Sequence, residues 1–151
     1  MKSLEARIDI EAEPEVIFDL IHDYDRRLDW DPFLQEACLI DGARKADVGV
    51  RSICVAGGWF AGLTMETMYV SFRRPDIAAV KMTKGPFVLS SFAASIAVGR
   101  GAMSRSTVTY RFNLRTRPSW FRFVMEPVAA RVFRRETRLR LIALKRHLER
   151  R

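Results

Sequence analysis

Chemistry inside a protein needs titratable side chains held where water is scarce, and few residues of this 151-residue chain qualify. The candidates are Glu66, Tyr69, Tyr110 and Glu136, where a carboxyl or phenol inside a cavity could polarise a carbonyl or take a proton. Glu136 lies between Phe133 and Leu139 and follows Val132 by one helical turn. It also stands four residues before Arg140, the spacing of an ordinary helix-surface ion pair. Glu66 and Tyr69 take no fixed face, because Met65, Met68, Val70 and Phe72 keep no single alternation. His22 falls at the rim of a short helix beside Asp19 and Asp23, where a solvated or salt-bridged role is expected, and His147 lies among Arg146 and Arg150 near the chain end. The sequence has no Ser-His-Asp order, His/Cys metal spacing or Gly-rich phosphate loop, so neither a metal nor a cofactor is expected.

These side chains need elements to position them. Leu4, Ala6, Ile8, Ile10 and Ala12 alternate with charged residues, the period-two pattern of a half-buried strand. Pro14 then suits the first turn of a short helix carrying Val16, Ile17, Leu20, Ile21 and Tyr24, with Glu13 and Glu15 near its positive end. A second short helix or turn follows around residues 28–33, where Trp30 and Phe33 plug the gap to a sheet. From about 36 to 115 the chain reads as strands separated by short turns, which gives an antiparallel meander. Its last strand points Val108, Tyr110, Phe112 and Leu114 inward. Residues 119–150 form one long helical stretch, with Ser119 as N-cap and Pro127 as a kink or restart. Val124, Val128, Ala129, Val132, Phe133, Leu139, Ala143 and Leu144 make a broad apolar face, and only this helix is large enough to cover the sheet.

The length suits one domain over residues 1–151, and a 48% hydrophobic share is that of a folded core. No apolar run reaches the ~20 residues a membrane span needs, and the start lacks a signal-peptide core, so a cytoplasmic protein is expected. Cys38 and Cys54 form no CxxC pair and read as buried free thiols. Charge is unevenly spread. Residues 1–47 carry 6 basic and 13 acidic groups, net −7, while residues 100–151 carry 15 basic and 3 acidic, net +12. The two thirds can meet within one fold. The surplus on Arg131, Arg134, Arg135 and Arg138 can also face an anionic membrane or RNA, although no module for specific DNA recognition is visible.

Residues 90–99, Ser-Ser-Phe-Ala-Ala-Ser-Ile-Ala-Val-Gly, are poor in bulk for a strand. Two readings stand: the wall of a cavity, or a place where a helix packs closely. For a cavity, the expected lining is Met65, Met82, Phe92, Ala94, Ile96, Val108, Tyr110, Phe112, Met125, Val128, Ala129, Val132 and Phe133. Trp59, Phe60, Trp120 and Phe121 would stand at its mouth or fold over the barrel end.

Four strings follow one another along the chain: Ala12–Leu20, Asp29-Trp30-Asp31-Pro32-Phe33, Lys84-Gly85-Pro86-Phe87, and Glu126-Pro127-Val128 onward to Leu144-Lys145-Arg146. Together, in this order, they resemble the START-like superfamily that includes polyketide cyclase/dehydrase-like proteins. The resemblance implies an α+β helix-grip fold, a curved antiparallel sheet wrapped around the long C-terminal helix, with two short helices after the first strand. It further implies that a hydrophobic or amphipathic small molecule (lipid, quinone, isoprenoid or polyketide-like) is held in an internal cavity. Two alternatives accompany it: a cyclase, aromatase or dehydratase using polar cavity groups, and an interaction module that sets its basic helix face on a membrane, ribosome or protein.

Overall fold

The computed structural model describes residues 4–58 and 62–150. Strand β1 (Leu4–Ile10) leads to helices α1 (Pro14–Ile21) and α2 (Arg27–Trp30). Six strands follow: β2 (Leu34–Leu39), β3 (Arg51–Ala56), β4 (Thr64–Arg73), β5 (Ile77–Lys84), β6 (Leu89–Arg100) and β7 (Ser106–Thr116). A 3-10 turn (Ser119–Phe121) opens the long helix α3 (Arg122–Glu149). The seven strands form one antiparallel sheet in the order β1-β7-β6-β5-β4-β3-β2. Hairpins explain five of these neighbours. The short helices carry the chain from one edge of the sheet to the other, and α3 lies on β1 and β7. This is the helix-grip architecture.

The β4–β5 pairing shifts register twice: opposite Glu66/Thr67 the extra residue belongs to β5, and between Tyr69 and Ser71 it belongs to β4, which breaks the alternation of the β4 sequence. Met65, Thr67 and Tyr69 line the interior, and after the second bulge Phe72 returns to the same side, packed on Phe18 and Tyr69. In β7 the alternation is regular, with Val108, Phe112 and Leu114 buried.

The core has two parts. One joins Ile17, Phe18 and Ile21 of α1 to Val108 and to Leu141 and Leu144 of α3. The other gathers Leu89, Phe92, Phe112 and Leu114 with Ala129 and Phe133. Pro127 lies within α3, which continues through it as one helix, and Phe121 rather than Ser119 takes the N-cap place. The buried residues of α3, Thr137, Leu141 and Leu144, all fall in its C-terminal half. Val124, Val128 and Leu139, expected on the apolar face, are exposed instead, because Ala129 and Phe133 in the first half of the helix and Leu141 and Leu144 in the second make its contacts with the core.

The charge asymmetry resolves into ion pairs. Arg111 meets Glu5, Arg100 meets Glu13 and Glu15, and Arg105 meets Glu11. Arg131, Arg134 and Arg138 take no ion pair among the described residues, and Arg135 has only a long contact to Glu136, at 3.9 Å. No helix among the described residues is long and apolar enough to cross a membrane.

Candidate functional site

A cavity of about 140 Å³ lies between the concave face of the sheet and α3. Its walls are mainly apolar and include Met65, Val80, Phe92, Ala94, Ile96 and Phe133. An enclosed apolar cavity of about 150 Å³ takes up a single benzene ring, so the space suits one ring or a short chain without rearrangement. Small residues on β6 create it: Ala94 stands where a larger side chain would close the gap, and the main contacts of α3 are with β1 and β7.

One wall is polar. His22 follows the last residue of α1, and its ring turns inward, only 8% exposed, to place Nδ1 2.7 Å from the Tyr69 hydroxyl. The Tyr69 hydroxyl lies 3.2 Å from that of Tyr24, which donates to Ser52 Oγ at 3.2 Å. Ser52 in turn lies 3.0 Å from Thr67 Oγ1. Burial lowers the His22 pKa to about 3, and the nearby charge of Arg27 pushes the same way. Burial raises the Tyr69 pKa well above the usual phenol range. The pair is therefore a neutral imidazole on a neutral phenol at ordinary pH. His22 Nε2 is buried without a hydrogen-bond partner among the described residues.

Beside this chain lies a charged cluster. Asp31, its side chain fully buried, accepts hydrogen bonds from Arg27 Nε at 3.0 Å and from Arg140 Nε at 3.0 Å. Arg140 Nη2 lies 2.8 Å from the same carboxylate. Burial alone would raise the Asp31 carboxyl, but Arg140 and Arg27 outweigh it and hold the pKa low. Both arginines line the cavity. Arg27 also stacks over Tyr24 and Trp30 at 5.5 and 5.2 Å, and Arg140 over Phe33 at 5.5 Å, contacts that favour a cation in a dry setting. A void of about 20 Å³ adjoins the cavity at Arg27, Tyr110, Thr137 and Arg140, large enough for one water. Trp30 borders it, and the buried Trp30 Nε1 lacks a hydrogen-bond partner among the described residues.

Of the residues expected to line a cavity, Met65, Phe92, Ala94, Ile96, Tyr110 and Phe133 do so. Val108 and Phe112 are sealed in the two core clusters, Met82 and Ala129 pack on the second cluster, and Val128 is exposed. Met125 and Val132 are half-buried on α3, off the cavity wall. Among the catalytic candidates only Tyr69 and Tyr110 reach the cavity. The Glu66 carboxylate is buried against Thr83 and Arg51, away from it. Glu136 faces Arg135, and its expected partner Arg140 pairs with Asp31 instead. An acid–base pair built on these two carboxylates is thereby absent from the cavity.

His22 corrects the expectation of a solvated residue, since the residue after a helix is not bound to its periodicity. Cys38 is exposed rather than buried, while Cys54 lines the cavity with its thiol pKa raised by burial. Arg27 was not singled out in the sequence, and Arg140 only as a surface partner for Glu136. The available signal was Arg140 standing within the line Phe133, Thr137, Leu141 and Leu144, an arginine on a buried helix face.

Toward the start of α3, Pro86 and Leu63 border the cavity, and Arg117 lies over the Phe87 ring at 5.4 Å. Phe87, Trp120 and Phe123 are 82%, 76% and 78% exposed, and Phe121 is also exposed. Trp59 and Phe60, expected at the same mouth, lie outside the described residues.

No curated protein matches the chain. Solved structures share its fold at low identity. XoxI from Bacillus cereus is 20% identical over 98% of this chain and 96% of its own, with a TM-score of 0.78. A START superfamily protein from Mycobacterium smegmatis is 9% identical over 97% of both chains, with a TM-score of 0.79. The di-domain aromatase/cyclase StfQ of the steffimycin biosynthetic pathway is 11% identical over 97% of this chain and 50% of its own, with a TM-score of 0.80. A family model described as "Polyketide cyclase / dehydrase and lipid transport" matches residues 1–149, and the chain belongs to that family.

Proposed function

We propose that this protein binds a hydrophobic or amphipathic small molecule (lipid, quinone, isoprenoid or polyketide-like) in the cavity between the sheet and the C-terminal helix. The observation that carries this reading is the apolar cavity beneath a helix whose N-terminal half has no fully buried residue. Such a half-helix can lift to admit a molecule larger than one ring at small cost in buried apolar area. The family description, which joins cyclases with lipid transport, agrees with this use of the fold. Titration with the neutral fluorophore N-phenyl-1-naphthylamine tests it. Saturable uptake is expected, together with its loss in Ala94→Trp, whose indole fills the space. Uptake that persists in a folded Ala94→Trp protein would place the probe elsewhere and sink the proposal.

A second reading, peripheral contact with an anionic membrane, is favoured by the exposed Trp120, Phe123 and Phe87, with Arg117 on the Phe87 ring, and by Arg131, Arg134 and Arg138 further along α3, which take no ion pair among the described residues. Aromatic rings at the headgroup level with a basic flank match a negatively charged lipid surface. Flotation with phosphatidylserine vesicles should recover the protein, and Arg134→Glu with Arg138→Glu should abolish it. Recovery equal to that of wild type in the double variant contradicts this reading.

A further inference from the structure

We infer that the molecule taken up by this cavity carries a single carboxylate head, seated against Arg27, Arg140, Tyr110 and Thr137, with its apolar part running toward Phe92 and Phe133. The inference deepens the proposed function and rests on it. Three observations support it.

The first is charge. Two guanidiniums share one carboxylate, so the cluster carries one net positive charge in a site where the Asp31 side chain is fully buried and those of Arg27 and Arg140 are 9% and 17% exposed. Buried charge is costly unless matched, and the aromatic rings over the guanidiniums offset only part of that cost. A monoanion completes the balance. A dianion would overshoot it, and a cation would be repelled.

The second is hydrogen bonding. Asp31 and the Ile21 carbonyl take the Nε and Nη1 protons of Arg27 and the Nε and Nη2 protons of Arg140. Arg27 Nη2 and Arg140 Nη1 make no hydrogen bond among the described residues, nor do the hydroxyls of Tyr110 and Thr137. All four residues line both the cavity and its small annex, so these donors converge on one place. None of these four is a fully sealed atom, so each keeps access to the cavity, and a carboxylate with two oxygens accepts from several donors at once. Burial also keeps the Tyr110 phenol protonated and able to donate.

The third is the contrast along the cavity. Phe92, Phe133, Met65 and Val80 offer nothing polar, so an amphipathic molecule has one orientation.

Displacement of N-phenyl-1-naphthylamine by decanoate, 1-decanol and decyltrimethylammonium, which share one chain length, tests the head group. Decanoate should bind about tenfold tighter than decanol, the margin expected of charge-assisted hydrogen bonds, and the ammonium weakest. In Arg140→Gln the carboxylate-to-alcohol ratio should fall by about the same factor. If that variant does not fold, Tyr110→Phe with Thr137→Val, which leaves no charge unpaired, should lower the ratio in the same direction. Decanol or the ammonium binding as tightly as decanoate would overturn the head-group assignment while leaving the cavity reading intact. An unchanged ratio in the folded variants would overturn it equally. Failure of the fluorophore and of all three competitors to bind would remove the cavity reading, and this inference with it.

Discussion

Arg140 reaches across 109 positions of the chain to set Nη2 2.8 Å from Asp31 Oδ2, the oxygen that also accepts from Arg27 Nε. This contact ties the C-terminal half of α3 to the end of α2. Below it Leu141 and Leu144 are buried against α1 and β7; toward the other end of the helix Val124 and Val128 are exposed. The charged cluster therefore sits in the part of the helix that holds its fully buried residues, Thr137, Leu141 and Leu144.

Removing Asp31 alone should be severe. Asp31→Asn leaves two buried guanidiniums facing each other without a counter-charge, and an uncompensated buried charge costs about 3–5 kcal/mol. Urea unfolding should show a loss of that order. Replacing all three members by apolar residues (Arg27→Met, Asp31→Leu, Arg140→Met) should restore most of the stability, because an apolar isostere of a buried ion cluster is often neutral or better. Equal stability of Asp31→Asn and wild type would contradict the described burial.

His22 gives the fold a pH dependence of known sign. Its folded pKa, about 3, lies below the unfolded value of about 6.5, so the unfolded chain binds more protons between them. The contribution is complete above pH 6.5 and is lost as pH falls toward 3, at up to about 1.4 kcal/mol per pH unit. Wild type should weaken between pH 6.5 and 4.5 more steeply than His22→Gln. Parallel slopes for the two proteins would show that His22 protonates freely in the folded state.

The two thiols should differ in reactivity. Cys38 is exposed, whereas Cys54 lines the cavity with a raised pKa. A disulfide reagent at pH 8 should modify Cys38 quickly and Cys54 slowly, since the thiolate is the reacting form. In a Cys38→Ser protein, saturating decanoate should slow the remaining reaction further. Modification of Cys54 at the rate of a free thiol would deny its burial.

The aromatic tip should be dispensable for folding. Trp120→Ala and Phe123→Ala remove side chains about three-quarters exposed, so each should shift stability by no more than about 0.5 kcal/mol. Binding to phosphatidylserine vesicles should nevertheless weaken in both. A large stability loss would mean that these rings belong to a packed core.

The fold was legible because local patterns and tertiary burial agree in most elements. The alternation of Val108, Tyr110, Phe112 and Leu114 matches the register of β7, and Pro14 marks the start of α1. The site was much less legible. Glu136 and Arg140 have the spacing of a helical ion pair, yet the buried Asp31, far away in sequence, wins Arg140 because a charge in a dry site gains most from a counter-charge beside it. Tyr69 faces inward by regular alternation with Met65 and Thr67, but the bulge between Tyr69 and Ser71 brings Phe72 to the same side and so blurs the pattern, and a bulge leaves little trace in residue type. Arg27 stood in the polar string Asp23-Tyr24-Asp25-Arg26-Arg27, where only the aromatic neighbours Tyr24 and Trp30 hinted at a buried cation.

Native mass spectrometry of freshly purified protein tests the central claim most directly, with extraction and identification of whatever leaves on denaturation. The account predicts one bound apolar molecule per chain, or stoichiometric uptake of an added one such as decanoate, and loss of both in Ala94→Trp. A clean unliganded mass that stays unchanged across a panel of lipids, quinones and polyketide-like compounds would contradict it.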